Sequence, residues 1–240
     1  MIYISRIVFL IIFLFQISVL TAQTFVETGN TYPVSVDGNK YVVNGFITFD
    51  KLTDEEIYAN TLLWTVENVC PKLQEGINDR NDKGKSFRCD WIIGSLAGSG
   101  FENTYYCRVN FRVADQKLVY YISDVLIESP AFVMKKVTPL EKLTPEKKTA
   151  HKQIMDDFTQ SESSVLNKLF DFISTNQLSE ITHWDAISIR KPIKGMNEDE
   201  CRLAFGKPQS ILETNGEIQW MYSSSFYLFF KNGQVQTIIK

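Results

Sequence analysis

Histidine is scarce in this 240-residue chain, which contains only His151 and His183. Nucleophilic catalysis needs a histidine beside an activated serine or cysteine and an orienting carboxylate, and neither histidine stands in such a pattern. Neither has a metal-ligating residue three or four positions further on. The sequence therefore predicts structural or solvated histidines, and a protein that is not an enzyme.

Cysteine is also infrequent: the chain has four, and no two form the closely spaced pair of a zinc site. An exported protein can keep disulfides, and four cysteines allow three complete pairings. Cys70 could meet either Cys89 or Cys107 in the first half of the chain. Cys201 is expected to be a small buried hydrophobe on a helix. The disulfide connectivity is open at this point.

An excess of positive charge is missing, since 25 Lys and Arg stand against 28 Asp and Glu. A nucleic-acid binder carries a basic stripe, so no nucleic-acid partner is expected. Ligand loops are incomplete as well. Asp79 stands where a phosphate loop ending in Gly84-Lys85-Ser86 needs glycine, and Lys83 stands where a calcium loop needs an oxygen ligand. We expect no cofactor and no metal.

The longest apolar run lies at the N-terminus. Arg6 precedes the run Ile7 to Phe15, and Ala22 provides a small residue at its exit. These are the parts of a secretory signal peptide, with cleavage expected after Ala22. The alternative is an uncleaved anchor, although the run is shorter than the roughly 20 apolar residues of a membrane span. No integral membrane span is expected after cleavage, and no cysteine follows the cut to carry a lipid.

Strand and helix patterns alternate after the signal segment. Strand-rich runs flank Asp37-Gly38, which predicts a hairpin. Thr53 and Glu56 form a capping box at the start of a helix that Pro71 would end. Residues 76–85 are polar and rich in turn formers. Three apolar runs then predict an antiparallel meander with strands at 88–96, 104–113 and 117–127.

The second half begins with proline and lysine in residues 129–144. Thr144-Pro145 is typical of a helix start, and the apolar spacing continues to Asn176 as one long helix or two shorter ones. Asn197 and Glu200 cap a further helix. Beyond it, a three-strand antiparallel sheet is predicted from the apolar runs 210–214, 217–222, 226–231 and 234–239, where Asn-Gly pairs mark turns.

Adjacent tyrosines predict aromatic rings on both faces of the first sheet. Tyr105-Tyr106 and Tyr120-Tyr121 lie in neighbouring strands, and successive strand residues point to opposite faces. One face meets the helix that precedes the meander. The other is either covered by the 145–176 helix or open as a binding surface.

Two resemblances to known families follow from these motifs. Gly45 to Ile127, with Asp54-Glu55-Glu56-Ile57-Tyr58 leading to Leu63-Trp64, resembles an exported Gram-negative domain of unknown function that has a TBP-like fold. Members of that family tend to carry a signal peptide ending in Ala-Gln, as Ala22-Gln23 does. The resemblance implies fold alone, and DNA binding does not follow from it.

The second resemblance concerns the C-terminal part, which is similar to the SmpA/BamE-like module. That module is a small helix-plus-sheet unit of outer-membrane assembly lipoproteins, and its fold recurs in β-lactamase inhibitor proteins. This chain lacks the lipidated cysteine, and the matching residues are caps, turns and core. The motifs are Lys194-Gly195-Met196-Asn197-Glu198-Asp199-Glu200, Gly206-Lys207-Pro208, Trp220-Met221-Tyr222 and Phe229-Phe230-Lys231-Asn232-Gly233.

The predicted fold class is α+β: a helix on an antiparallel, TBP-like sheet, a long connecting helix or helices, then a small helix-plus-three-strand antiparallel module. The predicted segments are a signal peptide at 1–22, a TBP-like domain at 23–130, a linker at 131–144, a helical segment at 145–176 and a SmpA/BamE-like module at 184–240.

The expected function is non-catalytic binding of a protein or ligand, by a cell-envelope protein in the periplasm or secreted. An envelope protein is the expected partner, and the oligomeric state is left open. Two other hypotheses stand beside it: an envelope hydrolase with an unrecognised site, and an inhibitor of another exported enzyme. The candidate binding surface consists of Tyr106, Tyr120, Tyr121, Trp220 and Tyr222.

Overall fold

The computed structural model describes residues 40–69, 76–96, 102–129, 137–144, 147–214 and 216–240. The predicted signal segment, most of the first hairpin, Cys70, Pro71, Pro145 and Asn215 lie outside these residues. The described residues fall within one compact unit, Pro33–Lys240. Its helices are α1 (Asp54–Asn68), α2 (Thr149–Thr175), α3 (Trp184–Ser188) and α4 (Glu198–Phe205), with a 3-10 turn at Leu140–Lys142.

The strands form two antiparallel sheets. The six-stranded sheet has the order β1-β5-β4-β3-β2, with the short β6 paired to the far end of β5, and the four-stranded sheet has the order β10-β9-β8-β7. The strand bounds are β1 Val43–Thr48, β2 Ile77–Asn81, β3 Ser86–Gly94, β4 Thr104–Ala114, β5 Lys117–Glu128, β6 Thr138–Pro139, β7 Ser210–Thr214, β8 Glu217–Ser223, β9 Phe226–Lys231 and β10 Gln234–Ile239.

The boundaries of α1 follow from local chemistry. The Thr53 side chain accepts from the backbone N–H of Glu56, and the Glu56 carboxylate accepts from the backbone N–H of Thr53, which completes the predicted capping box. Residues 57–66 are all buried, because α1 lies against the sheet, α2 and α4 at once. A helix buried on nearly all sides loses the one-sided apolar stripe of a surface helix.

Both long helices pack on the same face of the six-stranded sheet. Trp64 of α1 contacts Trp91, with 5.8 Å between ring centroids, and Phe158 of α2 contacts Tyr105 at 5.1 Å. Trp91 is paired with Cys107 in the register, and Cys107 lies two residues from Tyr105 on the same strand. The two aromatic contacts are therefore on one face. The alternative that the 145–176 helix covers the opposite face is wrong.

The α2 helix is one continuous element from Thr149 to Thr175. It begins later than the Thr144-Pro145 pattern predicts, because the Thr144 carbonyl accepts from the N–H groups of Lys147 and Lys148 in a separate turn. Asn176 caps its C-terminus, as the sequence predicts.

The C-terminal sheet has four strands, one more than predicted, because each of the four apolar runs forms its own strand. The capping box of Asn197 and Glu200 starts α4 as predicted, and Gly206 ends it with φ of 77°, a conformation that glycine adopts without strain. Cys201 is fully buried in α4 and its thiol is free.

Two segments predicted to be irregular contain strands. Residues 77–81 form β2 inside the polar 76–85 stretch, and Thr138–Pro139 forms β6 inside the predicted linker. Neither has the apolar alternation that makes a strand visible in sequence. Each is held by its neighbour: Ile77 pairs with Cys89, and Thr138 pairs with Ile127.

Candidate functional site

The candidate site is the face of the six-stranded sheet opposite α1 and α2, hereafter the open face. Five large apolar side chains on it are exposed although strand residues of this type are ordinarily covered. Register places them in two groups: Phe46 pairs with Val119, two residues from Tyr121, and Tyr106 pairs with both Ile92 and Leu126. The exposed fractions are 57% for Phe46, 39% for Ile92, 43% for Val119, 41% for Tyr121 and 37% for Leu126.

Charged side chains of both signs lie among these apolar groups. Arg108 donates to Asp124 at 2.9 Å and lies 3.7 Å from Asp90, and Lys40 reaches Asp124 at 3.1 Å. The hydrogen bond to Asp124 raises the pKa of Lys40. These pairs are exposed and contribute little stability, but they place charges of both signs among the apolar groups. The Lys117 ammonium lies 5.5 Å from the centre of the Phe46 ring.

A β-bulge shapes the middle of the open face. The pairing of β4 with β5 shifts between Tyr106 and Arg108, and Asp124 in the opposing strand has φ of 52°. A bulge adds one residue to a strand and re-aims the side chains beside it. It places the carboxylate of Asp124 within reach of both Arg108 and Lys40.

One end of the open face forms a shallow groove of about 330 Å³. Arg88, Arg112, Val119 and Tyr121 line it. Arg88 donates to Asp79 at 2.7 Å. Arg112 pairs with Val119 across the strands and is exposed, so its guanidinium faces the groove's solvent.

The predicted binding residues are divided by the fold. Tyr106 and Tyr121 lie on the open face, where the hydroxyl of Tyr106 donates to Glu128 at 3.0 Å. Tyr120 lies on the helix face, 5.9 Å from the ring of Phe170. Each adjacent tyrosine pair places one ring on each face of the sheet, as predicted, so only one member of each pair can belong to the open face.

Of the two C-terminal residues of the predicted surface, Trp220 is buried and Tyr222 is half-buried. Trp220 is 3% exposed, and Tyr222 stacks on Phe226 at 5.2 Å. Phe205 of α4 contacts Tyr222 and Phe226, and Trp220 contacts Tyr222 and Phe230. The sequence indicated correctly which residues share a face, but it did not indicate which face the helix covers. The apolar residues Phe46, Ile92, Val119 and Leu126 were missed. Ile92 and Leu126 align with Tyr106 across the strands, and Val119 lies two residues from Tyr121 and opposite Phe46.

The side chain of His183 contacts a buried carboxylate. Its Nδ1 lies 2.8 Å from Glu200 Oε2, and the Glu200 side chain is 1% exposed. Glu200 also accepts from the backbone N–H groups of Thr182, His183 and Asn197. Burial raises the pKa of Glu200, but these hydrogen bonds outweigh it and leave that pKa below its usual value.

His183 does not have the geometry of a general base that activates a nucleophile. The hydroxyl of Thr182 lies 3.0 Å from Nδ1, the same nitrogen that meets the carboxylate. In a catalytic triad the nucleophile and the carboxylate occupy opposite ring nitrogens. The contacts of His183 instead join residues 182–183 to the start of α4.

A second buried polar cluster lies where β3 and β4 meet α2. Asp157 Oδ2 accepts from Ser95 Oγ at 2.6 Å, Tyr105 OH at 2.6 Å and Asn103 Nδ2 at 3.0 Å. Ser161 Oγ, one helical turn further on, accepts from the N–H of Leu96. The cluster ties both ends of the β3–β4 connection to the helix.

Glu162 of α2 is a buried acid, with 4% exposure. Burial raises its pKa to about 7, and the hydroxyl of Ser163, donating at 3.3 Å, offsets part of that rise. Its charge raises the pKa of Cys107 and Tyr120 from across the helix–sheet contact, in each case after burial as the larger cause.

Within the described ranges, no group of three or more His, Cys, Asp or Glu side chains is placed to hold a metal ion. In the same part of the chain, no helix has both the length and the apolar character needed to cross a membrane. Cys107 is buried with a free thiol, so it does not form the disulfide with Cys70 that the sequence left open.

Comparison with known proteins gives the fold. No family model and no curated protein matches this chain. A TBP-like protein from Parabacteroides distasonis is similar in structure, with a TM-score of 0.50 and 12% identity over 61% of this chain and 99% of that one. A DUF4468 family protein from Bacteroides ovatus has a TM-score of 0.46 and 8% identity over 59% and 91% of the two chains. The chain thus contains a TBP-like α+β fold of unknown function.

Proposed function

We propose that this chain is a non-catalytic binding protein of the cell envelope that holds a protein partner against the open face. The observation that supports it is the set of five exposed apolar side chains on that face, each at least 37% exposed. The opposite face of the same sheet is buried under α1 and α2. Exposed apolar groups bordered by polar residues are typical of protein interaction sites.

The chemistry of the open face fits a protein better than a small molecule. Ligand pockets are enclosed, with volumes of roughly 300–1,000 Å³, whereas the groove beside Arg112 is shallow and measures about 330 Å³. Protein interfaces are enriched in aromatic residues and arginine, with a polar rim. Phe46, Tyr106 and Tyr121 supply the aromatic rings, and Arg88 and Arg108 supply guanidinium groups.

The envelope location rests on the sequence of the first 22 residues and on the family resemblances. The signal-like pattern of Arg6 and the run Ile7 to Phe15 supports export. The SmpA/BamE-like motifs of the C-terminal part are typical of envelope proteins. Intact-mass measurement of the protein from the periplasmic fraction tests this. A mature N-terminus at Gln23 is expected, and a full-length chain retained in the cytoplasm would contradict the proposal.

Capture of a partner tests the binding function. The affinity-tagged protein, expressed as the full chain in its native host, is used as bait, and bound proteins are identified by mass spectrometry. A Val119→Lys variant places a charge on the open face beside Phe46, whereas Ile189→Lys changes a residue that is 69% exposed at the end of α3. We expect one partner that wild type and Ile189→Lys retain and Val119→Lys loses.

The fold control for this experiment is the stability of the variants. Both replaced side chains are exposed, so each change is expected to alter the free energy of unfolding by less than about 1 kcal/mol. A partner retained equally by all three proteins, or no partner at all in the wild-type sample, would overturn the open face as the binding surface.

A further inference from the structure

The strand β7 is an edge of the four-stranded sheet, and all five of its residues, Ser210–Thr214, are exposed. It pairs regularly with β8 over its whole length. On its other side, no strand in the part of the chain that the structure describes lies against it. An edge of this kind presents backbone N–H and C=O groups that can pair with another strand.

Two other edge strands in the described residues, β10 and β2, are obstructed or irregular, unlike β7. Residues 195–197 cover β10: Gly195 donates to the Val235 carbonyl at 2.9 Å, and Val235 donates to the Met196 carbonyl at 2.8 Å. The β2 edge is irregular, because its pairing with β3 shifts between Asn78 and Asn81. The β7 strand has neither a bulge nor a proline, and both devices would discourage pairing.

Two large apolar side chains on β7 are exposed on opposite sides of the sheet. Ile211 is 59% exposed and Leu212 is 58% exposed. Ile211 pairs with Trp220, which in turn pairs with Leu228, so the three form one apolar row across β7, β8 and β9. The row ends at the open edge with Ile211. A strand added there would continue the row if it placed an apolar residue opposite Ile211.

We propose that two copies of this chain associate through antiparallel pairing of their β7 strands. A two-fold axis at Ile211 sets Ile211 opposite its own counterpart, which continues the row Leu228–Trp220–Ile211 into the second copy. The same register sets Leu212 opposite Ser210 and Glu213 opposite Gln209. Such a contact is isologous and closes after two subunits, and it joins the two four-stranded sheets into one of eight strands.

Charge does not oppose this register. The two copies of Glu213 would lie four residues apart along the paired strands, or about 14 Å at the rise of an antiparallel strand. That separation exceeds the Debye length of about 8 Å at physiological ionic strength. Their mutual repulsion is therefore screened. A contact of only five residues per copy is smaller than the interfaces of tight complexes, so the dimer is expected to be reversible and concentration-dependent.

Sedimentation velocity of the protein purified from full-chain expression tests the inference. The wild-type protein should pass from monomer to dimer over roughly three decades of concentration. Ile211→Lys would set two ammonium groups opposite one another and should weaken association at least about tenfold. Ile189→Lys, which adds the same charge elsewhere, should associate like wild type. A protein that stays monomeric up to about 1 mM would overturn the inference, as would equal association of all three.

Cross-linking tests the register. An Ile211→Cys variant treated with a short bismaleimide should form a covalent dimer, because the two introduced thiols face each other directly. A Glu213→Cys variant should not, because its thiols are about 14 Å apart. Equal yields, or a yield from Glu213→Cys alone, would overturn the Ile211-centred pairing. The surface is separate from the open face, so loss of partner capture and loss of dimerisation are independent results.

Discussion

Arg202 of α4 and Glu67 of α1 are joined by two hydrogen bonds, from Nε to Oε1 at 2.8 Å and from the terminal Nη2 to Oε2 at 2.9 Å. The Glu67 side chain is 3% exposed and the Arg202 side chain 28%. This bidentate contact connects the helix of the C-terminal part to the helix that packs on the six-stranded sheet. The hydrogen bond to Glu67 is the main reason that the pKa of Arg202 is raised.

Arg202→Met is therefore expected to lower the free energy of unfolding by about 3 kcal/mol, because it leaves a buried carboxylate without its partner. Guanidinium chloride unfolding measures the change. The double variant Glu67→Leu/Arg202→Met should recover most of the loss, since neither charge then remains buried. A loss below about 0.5 kcal/mol in the single variant would show that the pair does not support the fold.

The buried acid Glu162 should make stability depend on pH. Its pKa rises from an ordinary value of 4.5 to about 7 in the folded protein, mainly through burial. Because the folded state holds this proton more tightly, its contribution is fully present below pH 4.5 and is lost as the pH rises through 7. Glu162→Gln stays neutral at every pH and should be more stable than wild type at pH 8 by about 3 kcal/mol at most.

The comparison needs unfolding curves of wild type and Glu162→Gln at pH 5 and pH 8. The stability difference between the two proteins should grow in favour of the glutamine variant as the pH rises. A difference that is the same at both pH values would contradict the raised pKa and indicate a change in packing alone.

Neighbouring tyrosines on β4 provide a matched pair of variants. The hydroxyl of Tyr105 is buried and donates to Asp157 at 2.6 Å, whereas the hydroxyl of Tyr106 donates to Glu128 on the open face. Tyr105→Phe should lower the free energy of unfolding by about 2 kcal/mol, because the buried carboxylate of Asp157 loses a hydrogen-bond donor. Tyr106→Phe should cost less than about 0.5 kcal/mol. Thermal or chemical unfolding of both variants measures the two stability losses. Equal losses would contradict the conclusion that the Tyr105 hydroxyl is buried and the Tyr106 hydroxyl lies on the open face.

Buried thiols should resist modification in the native protein. Cys107 and Cys201 are free and buried, and burial raises the pKa of both, so the reactive thiolate is scarce. Brief treatment with iodoacetamide at pH 8 should leave both unmodified, as peptide mass spectrometry would show. The same treatment in denaturant should label both. Rapid native labelling of either site would contradict its burial.

Local signals in the sequence were sufficient for much of the fold. The capping boxes at Thr53 and Asn197 lie one residue before the observed starts of α1 and α4, because each box is completed within four residues of chain. The predicted strands 88–96, 104–113 and 117–127 match β3, β4 and β5 to within two residues. Their apolar alternation directly reflects a sheet with one buried face.

The candidate site was less predictable, because it depends on tertiary packing. Alternation shows that Tyr120 and Tyr121 face opposite ways, but it does not show which of them meets a helix. The same limit applies to Trp220, which is buried and not open to solvent. Strand β2 escaped prediction because its partner β3, and not its own polar sequence, holds it in the sheet.

The carboxylate of Glu200 carries a consequence for which substitutions the chain can accept. At the third position of a helix, glutamate and glutamine are ordinarily interchangeable, since either completes a capping box. Here Oε1 accepts from Thr182 and His183, while Oε2 accepts from Asn197 and His183. Glutamine has only one accepting oxygen, so its amide group would meet donors on one side or the other. The two residues are not interchangeable at this position, because Thr182 and His183, 18 and 17 residues upstream, together use both oxygens.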